Sequence, residues 1–169
     1  MLSYDEIRKN EEIRVYITEA DKTLSDLGYT EHSFAHVGCV SHRCEYILEG
    51  LGYDSHTVEL GKIAGYLHDI GNVVNRTDHS QSGAIMAFRI LDKLGMPPCD
   101  IATVITAIGN HDEGTGVPVS PVAAALIIAD KTDVRRTRVR NSDISAFDIH
   151  DRVNYSVEEA NLALSDDKS

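Results

Sequence analysis

His68 and Asp69 close the stretch GYLHDIGN, residues 65–72, where an imidazole and a carboxylate follow a run of apolar residues. Such a doublet is either an ordinary hydrogen-bonded pair or half of a cation site. Imidazole suits zinc, iron, nickel and copper, and carboxylate also admits magnesium and manganese. The chain offers further groups of the right type. Histidines stand at positions 32, 36, 42, 56, 68, 79, 111 and 150, and Asp130 follows the small and apolar run AAALIIA. A carboxylate after such a run is at risk of burial, and an isolated buried carboxylate is costly. It needs an arginine, backbone donors or a cation. His36 sits inside a helical pattern, with His32 four residues earlier on the same face. His79 and His111 stand at helix boundaries, from which a side chain can reach across a bundle. Taken singly, each has a plainer reading: Asp130 as a buried ion pair, His79 as a helix cap, His111 as a loop residue.

These groups must be positioned by helices. Apolar residues recur at three-to-four spacing over 4–27, 32–49, 55–68, 79–94 and 99–109, and again from Pro121 to about residue 139. Ser55 and Ser120 are expected N-caps, with Pro121 at the first helical position. The first 140 residues show no strand series, so the expected class is all-α. Beyond them Val153, Tyr155 and Val157 alternate, which predicts a short strand or hairpin closing the fold. Successive helical residues differ by about 100°, so His68 and Asp69 can meet one cation only at a helix end or bend, which Gly71 and Asn72 supply. Asp133, three residues past Asp130, either orients a histidine or is a solvated acid. Lys131, Arg135 and Arg138, spaced by four and three on the sixth helix, form a basic stripe. That stripe either grips substrate phosphates or compensates the helix dipole, and Arg76 carries the same two readings.

The bulk composition sets limits. A chain of 169 residues is expected to form one domain, 1–169. With 16 basic against 27 acidic residues the net charge is -11, which argues against a nucleic-acid polymer or an anionic membrane as partner. A small phosphate ligand stays allowed, because local cations reverse the field within a cleft. Cys39, Cys44 and Cys99 are scattered and form no C-x-x-C, as expected in a reducing compartment. The charged opening MLSYDEIRKNEEIR has no apolar signal region, and no run approaches the ~18 residues of a membrane span. A cytoplasmic location is expected.

The ordered set of HVGCV from His36, LHDIGN with His68 and Asp69, HSQSGA from His79, NHDEGTG with His111 and IIADKTD with Asp130 resembles the HD-domain metal-dependent phosphohydrolases. The resemblance covers roughly residues 30–140, flanked by an N-terminal helix and a C-terminal extension. It implies a helical bundle in which His36, His68, Asp69 and Asp130 hold one divalent ion, with His79 and His111 available to a second. Iron, manganese, zinc or nickel would then be favoured over magnesium alone. His68 and Asp69 would be central to catalysis, and Arg76, Lys131, Arg135 and Arg138 would meet substrate phosphates. The implied reaction is hydrolysis of a phosphate ester, with a nucleotide as the favoured substrate class; a homodimer is compatible with it. The alternative is a regulatory nucleotide-binding HD module without turnover. The cyclic-dinucleotide phosphodiesterases with an HD-GYP signature are a near neighbour. Here, however, Asn72 stands where lysine is usual, Asp112 follows His111 where a histidine pair would be complete, and Val117-Pro118 replaces Tyr-Pro. A second doublet, His150-Asp151, lies outside the matched stretch and reads as structural or surface.

Overall fold

A computed structural model describes residues 2–165. Among the described residues eight α-helices follow one another: α1 Tyr4–Lys9, α2 Glu11–Asp26, α3 Phe34–Gly50, α4 Ser55–Leu67, α5 His79–Lys93, α6 Pro98–Gly109, α7 Pro121–Thr132 and α8 Ile149–Ser156. Short 3-10 turns lie at Ile70–Val73, Arg136–Arg138 and Ile144–Ala146, and no strand occurs among the described residues. The class is all-α, as expected. Among the described residues no helix is long and apolar enough to cross a membrane.

Local chemistry explains where the helices start. Asn10 ends α1 and accepts from the Ile13 amide, so the expected single helix over 4–27 is two. Asp54, rather than Ser55, caps α4 by accepting from the Thr57 amide. Ser120 caps α7 ahead of Pro121. The apolar faces of α1 to α7 share one core, in which Leu48, Leu67, Leu91, Ile108 and Leu126 are fully buried. Truncating any of these leucines to alanine would cost ~2–5 kcal/mol. Helix α3 packs on α4 and α7, and α5 packs on α6.

Two glycines permit the close approaches on which the site depends. A Cβ on Gly65 would lie 2.9 Å from the Ser41 Cα, so α4 can press against the α3 backbone. A Cβ on Gly71 would lie 2.0 Å from the His79 carbonyl oxygen, so only glycine lets the turn after α4 sit on the start of α5.

The C-terminal expectation fails. Residues 149–156 form α8, capped by Asp148, which accepts from the Asp151 amide. Its buried face consists of Asp151 and Asn154, three apart, while Val153 and Tyr155 are exposed. The helix therefore turns polar residues inward, which an apolar pattern does not reveal.

Candidate metal centre

Helix α4 ends at Leu67; His68 keeps helical angles, and Asp69 leaves them with φ -95° and ψ 1°. That change places both side chains on one point. His68 Nε2 lies 3.0 Å from Asp69 Oδ2. From α3, His36 Nε2 comes within 3.4 Å of Asp69 Oδ2 and 3.3 Å of Asp130 Oδ1. From α7, Asp130 Oδ1 is 3.6 Å from His68 Nε2. His79, the first residue of α5, puts Nε2 3.5 Å from Asp69 Oδ1 and 3.2 Å from His111 Nε2. Six side chains from five parts of the chain thus meet.

The other ring nitrogens are fixed. Nδ1–H of His68, His79 and His111 donates to the carbonyls of Gly65 (2.9 Å), Arg76 (3.0 Å) and Ile108 (2.6 Å). Nδ1–H of His36 donates to Asp133 Oδ2 at 2.8 Å. Because these acceptors cannot donate, every neutral ring must turn a bare Nε2 inward. The buried Nε2 atoms of His36 and His68 have no hydrogen-bond partner, and such orphaned groups in a folded protein call for an explanation. Donors held about 2.1 Å from a common cation are separated by about 3.0–3.4 Å in octahedral and tetrahedral arrangements. The spacings here, 3.0 to 3.6 Å, lie at or just beyond those edges. His36, His68 and Asp130 form one set whose donor atoms lie within 4.8 Å of one another, and His68, Asp69 and His111 form another. The residues present fit one cation or an adjacent pair.

The electrostatics agree. Burial opposes charge on His36, but the carboxylates of Asp130, Asp133 and Asp69 around it win and raise it to about 9. His68 is likewise raised to about 10, chiefly by Asp69 and Asp130 against burial. Both aspartates are held well below the usual carboxylate range despite burial, by His68 and His36. A buried carboxylate, Asp69, and a largely buried one, Asp130, thus call for balancing positive charge at this point. Burial pushes His111 the other way, to about 4, and lowers His79 as well. Both therefore stay neutral and ready to donate a lone pair.

Outer residues brace this set. Arg135 Nε binds Asp133 Oδ1 at 2.8 Å, so Asp133 is held between Arg135 and His36. Asn72 Nδ2 donates to the Asp69 carbonyl (3.0 Å) and to Asp69 Oδ1 (2.9 Å). Beside the cluster lies a cleft of about 300 Å³.

The basic residues divide. Arg76 lines the cleft, 3.4 Å from both Asn72 Oδ1 and His79 Nε2. Lys131 lines it too, and pairs with Asp130 (2.7 Å) and Glu113. The expected helical stripe does not exist, because α7 ends at Thr132 and Arg135 is extended. Arg135 is turned toward Asp133 and Glu31. Arg138 touches the cleft, but its guanidinium donates to the Glu31 and Asp133 carbonyls. Both brace the chain after α7 instead of facing outward as phosphate clamps.

Sequence reasoning overlooked the opposite wall. Tyr29, Val134, Ile149, His150, Val153 and Asn154 all line the cleft. His150, read as structural or surface, is exposed at its mouth, and its neighbour Asp151 is buried. His32 also faces the cleft. Its Nδ1–H donates to the Thr30 carbonyl at 2.7 Å, and burial lowers it to about 3. No helical periodicity marks these residues; the one local signal of α8 is Asp148, a residue type favoured at N-caps.

Comparison with known proteins agrees with this geometry. A family profile described as the HD domain matches residues 33–135. An uncharacterized protein of Methanocaldococcus jannaschii is 26% identical over 189 aligned positions, covering 98% of this chain and 72% of the relative. A crystal structure from an uncultured Thermotogales bacterium, described as a predicted HD superfamily hydrolase, superposes with a TM-score of 0.57 at 28% identity. The match covers 72% of this chain and 66% of the other.

Proposed function

The chain belongs to the HD-domain family, and from that premise we propose that it is a metal-dependent phosphohydrolase acting on the phosphate ester of a nucleotide or a similarly sized small molecule. The observation that carries this reading is the pair of buried Nε2 atoms of His36 and His68, which make no hydrogen bond and face the carboxylates of Asp69 and Asp130. His36, His68, Asp69 and Asp130 would hold one divalent ion, and His79 and His111 with Asp69 Oδ1 a second. The preponderance of imidazole favours iron, manganese, zinc or nickel over magnesium alone. When bound, such an ion acidifies water to a nucleophile at neutral pH and withdraws charge from phosphoryl oxygens.

The chain's own residues do the remainder. Asp133 keeps the His36 proton on Nδ1, and Asn72 fixes the rotation of Asp69. Arg76 and Lys131 place positive charge at the cleft, beside the carboxylates, where the ester phosphate would otherwise be repelled. Tyr29, Val134, Ile149 and Val153 offer apolar surface on the other side. A cleft with a polar end and an apolar wall suits an anion attached to an organic group. At about 300 Å³ it lies at the small end of ligand pockets, which favours a mononucleotide-sized ester over a polymer.

The test is metal analysis of the purified chain, followed by hydrolysis of a panel of nucleotides and phosphodiesters with added metals. Turnover that is abolished by Asp69→Ala supports the reading. Activity that survives this substitution unchanged, or nucleotide affinity without turnover under every metal, defeats it.

A further inference from the structure

On the face of α3 turned away from the metal centre lies a second concavity, of about 490 Å³. Phe34, Gly38 and His42 line it at intervals of four, while His36, two residues from Phe34 and from Gly38, points about 200° away into the cluster. Across from them stand Tyr4, Arg8 and Lys9 of α1, Arg14 of α2 and Tyr66 of α4. No acidic residue is among the described residues lining it. That is unusual for a chain of net charge -11.

Several of the acids closest to it are engaged elsewhere. Glu45 and Glu59 pair with Lys62 at 3.0 and 3.5 Å, Glu12 pairs with Lys93 at 2.8 Å, and Glu6 closes the α1 cap with Ser3. Arg8, Lys9 and Arg14 are left without an ion-pair partner among the described residues. Arg14 is nonetheless positioned, with its guanidinium carbon 4.7 Å from the Phe34 ring centroid. The floor is open, since a Cβ on Gly38 would meet nothing within 4 Å. Helix interiors disfavour glycine, and at this position its absent side chain leaves the concavity its depth.

We propose that this groove is a second ligand site, separate from the cleft, that takes a nucleotide. Arg8, Lys9 and Arg14 receive its phosphates, and the Phe34 ring, half-buried where Tyr4 and Tyr66 are buried, borders its base. Three unpaired cations call for more than one negative charge, and the aromatic border calls for a planar ring beside them.

The test uses the full chain in excess chelator, so that metal-assisted binding in the cleft is absent, with ADP, pyrophosphate and adenosine as calorimetric probes. ADP is expected to bind at one site, at least tenfold more tightly than either fragment. Gly38→Leu, which fills the groove from a position with free space, is expected to weaken ADP at least tenfold, as is Arg14→Glu. Asp69→Asn in the cleft is expected to change it less than twofold. Should Arg14→Glu not fold, Gly38→Leu decides alone. Absence of ADP binding, binding indifferent to Gly38→Leu, or pyrophosphate binding as tight as ADP would overturn the proposal. None of these results depends on whether the cleft hydrolyses anything.

Discussion

The metal centre and α8 face each other across one cleft, yet they are built by opposite rules. The centre buries polar atoms in the middle of the bundle and satisfies all of them except the inward-facing nitrogens. Helix α8 buries Asp151 and Asn154 and leaves Ile149 and Val153 exposed at 67% and 46%. In the centre, position is over-determined: each imidazole is tied at Nδ1, and its helix is locked by the core. On α8 the residues that touch the cleft are joined to the rest mainly through the chain after α7, as when Asn154 Oδ1 accepts from the Arg135 amide at 3.0 Å. The lesson is a division of labour. Chemistry that tolerates little displacement is set on packed helices, and the wall that would discriminate among substrates is set on a separable element.

If that contrast is right, damage to the centre must be severe and damage to α8 mild. Asp69→Ala removes the carboxylate shared by both halves of the centre. Metal retention and turnover should fall by more than the about 10–100-fold typical of losing an outer partner, as read by metal content and initial rates. Asp133→Asn keeps every inward-facing residue but replaces the charged acceptor that holds the His36 Nδ1–H by a weaker neutral one. It should weaken metal affinity by about 10–100-fold, measured by competition with a chelating indicator. Gly71→Ala forces a Cβ against the His79 carbonyl and should destabilise the fold by ~1–3 kcal/mol, measured by urea unfolding. At the small end, Val153→Ser should raise KM a few-fold with kcat nearly unchanged. An equally large loss of kcat would show that α8 belongs to the reacting centre and erase the contrast.

Protons offer a further probe of the centre alone. In the chelated chain His36 at about 9 and His68 at about 10 lie above the ordinary 6.5. Their stabilisation is complete below pH 6.5 and is lost as pH rises through 9 to 10. Asp69 and Asp130, depressed from 3.8, contribute above that value and lose their contribution as pH falls below it. His32 at about 3 and His111 at about 4 are kept neutral by burial, so they too destabilise the fold as pH falls below 6.5. The metal-free Tm should therefore peak near pH 6.5 and decline on both sides. A bound cation replaces the protons on His36 and His68, so metal should flatten the alkaline limb in calorimetry. An alkaline limb that is identical with and without metal would separate these histidines from the cation.

Much of the helical framework was legible in the chain. The apolar spacing of α3 to α7 is strong because a buried stripe leaves a 3.6-residue period, and Ser120-Pro121 marks a start by its own local hydrogen bond. The bend at His68-Asp69 was legible too, since two adjacent residues cannot share a target on a regular helix. Three things were not. The break at Asn10 depends on one side-chain cap within a continuous apolar pattern. The end of α7 at Thr132 is set by Asp133 turning to His36 and Arg135, partners 97 positions away and two positions away. The polar inner face of α8 is invisible to any hydrophobic count.

The sequence by itself determined that imidazoles and carboxylates would sit at helix ends and interiors in a chain able to bury them, because residue type and periodicity are local properties. Tertiary structure alone decided which of those groups meet, that Arg135 and Arg138 brace the chain after α7 and do not form a stripe, and that α8 forms the far wall of the cleft. Those outcomes depend on distances between segments far apart in the chain. Such distances are set by how closely helices pack, down to the absent methyl groups of Gly65 and Gly71.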